Sequence, residues 1–134
     1  AGKRHRVPAL DTVPGASILL VEDEAALATA VMDALRDAGY VAGWAADGEE
    51  ALTKMKAESY DLVVCDLKMP KLDGMAFYRS LTELSPGLAK RVIFVTGDTA
   101  ATDAEKFFEE NGCRWLAKPF RLGDLLRAVR EGLR

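Results

Sequence analysis

A chain of 134 residues, 49% hydrophobic and 29% charged, suits one domain around one apolar core and is too apolar for a disordered segment. The net charge is −3, and Lys3, Arg4 and Arg6 against Asp11 put +2 on residues 1–15 and −5 on the remainder, which excludes the basic face that direct nucleic-acid binding needs. The one histidine, His5, falls in that lead-in, so the core has no histidine metal site or Ser/His/Asp triad to draw on. Cys65 and Cys113 sit in apolar contexts without metal-ligand spacing and read as buried, reduced thiols. No signal peptide is visible, and the apolar runs fall far short of the roughly 20 residues that span a bilayer, so a cytoplasmic chain without membrane contact is expected.

Residues 1–15, with two prolines and two glycines, read as a linker or tail, and the domain is expected over 16–134. "SILLV" (17–21) has buried-strand length, and Leu27, Val31, Leu35 and Ala38 then recur at helical spacing before a stop at Gly39. "YVAGWA" (40–45) is a second strand, weakened by Gly43. Asp47 can cap a helix carrying Ala51, Leu52 and Met55. "DLVVCD" (61–66) is the third strand, followed by a helix opening on Asp73 and ended by Ser85-Pro86-Gly87. "RVIFVT" (91–96) is the fourth strand, and a helix with Ala104, Phe107 and Phe108 on one face runs to Gly112. "CRWLAK" (113–118) is the fifth strand, and the last helix stacks Leu122, Leu125, Leu126, Val129 and Leu133.

Strand and helix thus alternate five times. Unbroken apolar strands imply cover on both faces, hence a parallel sheet with helices on each side, and right-handed crossovers make it a doubly wound α/β domain. Such sheets place their sites at the carboxyl ends of the strands, where strand order reverses. Those ends carry Glu22-Asp23, Asp66, Thr96 and Lys118. Asp is disfavoured inside strands and costly to bury unpaired, so an apolar run ending on Asp66 marks either the strand's exit into a turn, the plainer reading for one Asp alone, or a group held there for chemistry. Three clustered acids repel one another unless a cation sits among them, and a hard ion with oxygen ligands, Mg²⁺ above all, is the economical choice. An ammonium and a hydroxyl beside them suit an anionic group, which describes a site for moving a phosphoryl group onto a carboxylate.

At this point "LLVEDE", "DLVVCDLKMPKLDG", "VIFVTGD" and "WLAKPF", in order and at normal spacing, make the chain resemble the receiver domain of two-component response regulators. The resemblance covers about Ser17 to Leu133 and implies a five-stranded, flavodoxin-like (βα)5 fold. It implies that Asp66 accepts a phosphoryl group from a phosphohistidine on a histidine kinase or histidine phosphotransfer protein. Asp23, Asp66 and the backbone carbonyl of Lys68 would bind Mg²⁺, with Glu22 acting through a metal-bound water. Lys118 would pair with phosphoryl oxygens, Thr96 would move toward the phosphoryl group, and Trp115 would turn inward behind it as the switch. The Lys118-Pro119 peptide is expected to be cis. Such a domain signals rather than catalyses, beyond self-phosphorylation and self-dephosphorylation.

Taken singly, these residues have plainer readings: Glu22-Asp23 as helix N-terminal acids, Thr96-Gly97-Asp98 as a loop, Trp115 as half-exposed packing. Together they would need four coincidences at one sheet edge. An aspartate-nucleophile phosphatase of the haloacid dehalogenase kind would want an acid where Lys68 stands. The alternative is a degenerate receiver binding proteins without phosphate, but such domains usually lack one of the acids, the acceptor or the lysine. The Pro-containing lead-in suggests the C-terminal receiver of a hybrid histidine kinase.

Overall fold

The structure, a computed structural model, describes residues 15–67, 74–97 and 102–133. Five strands, β1 (Ser17–Val21), β2 (Val41–Ala45), β3 (Leu62–Asp66), β4 (Val92–Thr96) and β5 (Arg114–Ala117), form one parallel sheet in the order β2-β1-β3-β4-β5. The helices are α1 (Ala25–Asp37), α2 (Gly48–Ala57), α3 (Gly74–Leu84), α4 (Pro86–Ala89), α5 (Thr102–Asn111) and α6 (Leu122–Leu133). This is the doubly wound, flavodoxin-like α/β fold, with strand order reversing beside β1 and β3.

Alternation along the central strands divides the apolar residues between two layers. Ile18, Leu20, Leu62, Val64, Ile93 and Val95 pack against Val31 and Leu35 of α1 and Leu125 and Val129 of α6. Leu19, Val21, Val63, Cys65 and Phe94 face Ala51 of α2, Phe77 and Leu81 of α3 and Phe108 of α5. Each Val, Leu, Ile and Phe among them, fully buried, stabilises the fold by roughly 1.5–3 kcal/mol. The central strands β3 and β4 are buried throughout. The edge strands β2 and β5 are only partly covered, against the expectation that every strand is sheathed on both faces.

Local signals explain most element ends. The Asp47 carboxylate accepts the Glu50 N–H at 2.8 Å, and Glu50 Oε1 reaches back to the Ala46 N–H at 2.5 Å, a near relative of the capping box. Gly39 and Gly112 stop α1 and α5 in the left-handed region, at φ 97° and 65°. Three expectations need correction. Ser85-Pro86-Gly87 does end α3, but it also opens the extra helix α4: proline's fixed φ suits a first helical position, and the Ala89 N–H closes the turn on Ser85 O at 3.0 Å. On α1 the buried stripe is Ala28, Val31, Met32 and Leu35, with Leu27 and Ala38 at its border. Leu122, at the first position of α6, is exposed because that turn lies outside the apolar cluster.

Cys65 is buried and Cys113 half-buried, and neither is in a disulfide. Residues 1–14, Lys68, Asp73 and Asp98 lie outside the described residues, as does the side chain of Ala104. Among the described residues no helix is long and apolar enough to cross a membrane.

Candidate functional site

The register explains why distant residues meet. Val21 of β1 pairs with Cys65 of β3, Asp66 with Val95 of β4, and Thr96 with Ala117 of β5. Glu22, Asp66, Thr96 and Lys118 are therefore consecutive across the carboxyl edge, although 96 residues separate the first from the last. The fifth strand ends at Ala117 rather than running to Lys118 as expected, and the Lys118 N–H donates to Thr96 O at 2.8 Å. The Lys118-Pro119 peptide is cis.

Glu22, Asp66 and Thr96 are 3%, 6% and 2% exposed, while Asp23 is open to solvent. Lys118 Nζ lies 3.0 Å from Asp66 Oδ2 and 3.2 Å from Glu22 Oε1, so one ammonium clamps two buried carboxylates. Burial would lower the Lys118 pKa, but the hydrogen bond and charge of Asp66, then those of Glu22, outweigh it and hold the ammonium above its ordinary value. Glu22 is pushed from 4.5 up to about 7, chiefly by burial and further by the Asp66 charge; the Glu24 N–H and Lys118 oppose the shift without cancelling it.

Oxygens of Glu22, Asp23 and Asp66 lie within 4.8 Å of one another. With every group ionised, three carboxylates and Lys118 carry a net −2, which one divalent ion would neutralise. These are hard oxygen donors, partly buried and without a nitrogen or sulfur ligand among them, so the residues fit a Mg²⁺-type ion. Trp115 is 38% exposed and lies flat on Phe108, with centroids 5.6 Å apart and planes at 19°, so it stands in an outward position.

Two contacts were not anticipated. Glu22 bonds Lys118 directly, and the Trp44 indole N–H donates to the Glu22 backbone carbonyl at 2.7 Å. Both cross between strands and depend on side-chain reach, which periodicity along the chain does not report.

A family model described as the response regulator receiver domain matches residues 18–130. The chain belongs to that family. This receiver domain is 36% identical over 136 residues to the sensor kinase CckA of Brucella abortus, covering 99% of this chain and 14% of that protein. It is 31% identical to the response regulator receiver protein CpdR of the same organism, covering 87% of this chain and 95% of CpdR. Other curated relatives are about twice as long, and the chain spans about half their length. Among solved structures it resembles the receiver domain of the sensor histidine kinase PA1611 of Pseudomonas aeruginosa, described with a magnesium ion coordinated in its active-site cleft. There the TM-score is 0.77 at 30% identity, over 89% of this chain and 98% of that one. The chain is accordingly a receiver domain of two-component signalling.

Proposed function

We propose that Asp66 is the phosphoacceptor, that Glu22, Asp23 and Asp66 hold Mg²⁺ together with the Lys68 carbonyl, and that Thr96, Lys118 and Trp115 read out the phosphoryl group. The observation that carries this reading is the Lys118 clamp: an ammonium 3.0 Å from a nearly buried carboxylate, beside two more acids at the reversal point of the sheet. Asp66 attacks the phosphorus of a phosphohistidine on a kinase or phosphotransfer partner. An O–P bond forms as the P–N bond breaks, and the electron pair stays with the departing imidazole. Bound among the acids, Mg²⁺ would offset the charge that carboxylates and phosphoryl oxygens bring together. Lys118, already on Asp66, follows its new charge onto a phosphoryl oxygen, and the Thr96 hydroxyl donates to another.

Catalysis by this domain is limited to phosphorylating itself from small donors and hydrolysing its own acyl phosphate. The likeness to CckA, named a sensor kinase, extends over 99% of the chain and supports a place in a hybrid histidine kinase, with this domain in the cytoplasm. A degenerate, phosphate-independent receiver draws no support, because Glu22, Asp23, Asp66 and Lys118 all stand together.

The test is intact-mass measurement after incubation with acetyl phosphate and Mg²⁺. One phosphate should appear on the unaltered protein and none on Asp66→Asn. Equal labelling of both would overturn the assignment.

A further inference from the structure

The acidic turn between β1 and α1 owes its geometry to a residue on a different strand. Glu22 is held at four points. Its N–H donates to Ala45 O at 3.0 Å, and Oε2 accepts the Glu24 N–H at 3.1 Å. Oε1 meets Lys118 at 3.2 Å, and its backbone carbonyl accepts the indole N–H of Trp44 at 2.7 Å, the shortest of the four contacts. The pairing of β1 with β2 is thus carried past the strand ends, first by main chain and then by a side chain.

Trp44 is 38% exposed, so its N–H could have been satisfied by water. It reaches instead from the edge strand to the carbonyl of the peptide that joins Glu22 to Asp23. That peptide is planar, so fixing its oxygen also fixes the direction of the Asp23 N–Cα bond, which lies in the same plane. Asp23 is the exposed member of the acid cluster, and its side chain has the most freedom to stray.

We propose that Trp44 is a positioning residue for metal binding: its indole N–H, through the Glu22–Asp23 peptide, holds the Asp23 carboxylate facing Asp66. The proposal rests on the metal reading above and goes beyond it in naming a residue outside the acid cluster. Trp44 touches neither the metal nor the phosphoryl group. Its effect is pre-organisation, which strengthens binding by removing the cost of ordering the turn when the ion arrives.

The test is calorimetric titration of the whole chain with Mg²⁺, well below the melting temperature, at three versions of residue 44. Trp44→Phe keeps an aromatic ring and removes the donor. Replacement by benzothienylalanine keeps the bicyclic shape and puts sulfur where the N–H was. Replacement by 5-fluorotryptophan keeps both shape and donor. The first two should bind Mg²⁺ up to about fivefold more weakly, the scale of one net neutral hydrogen bond, and the third should match the unaltered protein. A loss of stability without repositioning would leave the affinity where it was.

Tight binding by the benzothienyl version would overturn the proposal, as would weak binding by Trp44→Phe alone, which would assign the effect to packing. No heat of Mg²⁺ binding in the unaltered protein would overturn the metal reading itself and this inference with it. That outcome is distinct from a normal response that residue 44 does not change.

Discussion

Glu22 and Thr96 stand at the ends of β1 and β4, on either side of Asp66, and both are almost fully buried. The contacts described on the two sides of the sheet differ in kind. On the β1 side every polar handle of Glu22 is engaged in a directional contact with Ala45, Glu24, Trp44 or Lys118. On the β4 side the packing is aromatic: Phe94 stacks on Phe108 at 5.3 Å, Phe108 on Trp115 at 5.6 Å, and Phe107 meets Phe94 edge-on at 5.9 Å. Hydrogen bonds weaken steeply when bent, whereas stacked rings can slide with modest loss. The comparison teaches a division of labour: a stiff wall suited to holding a metal at fixed geometry, and a compliant wall suited to a conformational switch.

The largest effect is expected from breaking the compliant wall. Phe108 is 3% exposed and touches three other rings, including that of Trp115. Phe108→Ala should cost about 3–5 kcal/mol in urea unfolding. Mg²⁺ affinity should persist in whatever fraction stays folded, because Glu22 and Asp23 hang on the other wall and Asp66 on the central strand β3. A loss under about 1 kcal/mol would mean that the ring stack does not hold this side together.

A smaller effect should come from the stiff wall and carries a definite sign. In metal-free protein Glu22 keeps its proton up to about pH 7, whereas the unfolded chain releases it near 4.5, with burial the main cause. Between those values the folded state binds more protons, so stability falls as pH rises. The contribution of Glu22 is complete below 4.5 and is lost as pH passes through about 7. The raised pKa of Lys118 acts in the same direction, but only far above this window. Denaturant unfolding in a chelating buffer should show the unaltered protein losing stability relative to Glu22→Gln from about pH 5 to about pH 8, and Mg²⁺ should erase the trend. A difference between the two proteins that stays constant across that range would contradict the burial of an ionisable Glu22.

The compliant wall was the more legible in sequence, and the stiff one the less. The fold could be read because its signals are local. Leu62 to Cys65 is an apolar run ending on Asp66, Asp47 precedes a helix that it does cap, and Gly39 and Gly112 end helices where they were expected to. Strand ends bearing Glu22-Asp23, Asp66, Thr96 and a lysine indicated which side chains would gather at one edge of the sheet. The helix α4 escaped notice because four residues carry no periodicity. Leu122 was misplaced because helical spacing does not say where the apolar layer ends. Missing, too, were Trp44 on Glu22 and Glu22 on Lys118: both depend on strand register and side-chain length across separate strands, where one methylene decides whether a carboxylate reaches an ammonium.

The smallest expected effect lies in the switch, and it sharpens the comparison most directly. Phosphorylation can shift an equilibrium only by the difference in the interactions it makes with two states. On the proposed reading that difference arises when Thr96 and Lys118 engage phosphoryl oxygens, drawing the end of β4 toward Asp66 and opening space behind Thr96 for residue 115. Trp115 begins outward, stacked on Phe108, so turning inward forfeits a stacked pair worth about 0.5–1.5 kcal/mol. Indole is also bulkier than a phenol or phenyl ring, and overpacking a tight pocket costs about 1–3 kcal/mol. Both terms oppose the inward state, so Trp115 should move only part of the way. In a Trp44→Phe background, at Mg²⁺ high enough to offset a weakened acidic turn, beryllofluoride should shift Trp115 emission partly toward that of a buried indole. Thr96→Ala should abolish the shift. Constant emission while fluorine NMR shows the mimic bound would mean that Trp115 is not the switch residue and that the signal leaves Asp66 by another route.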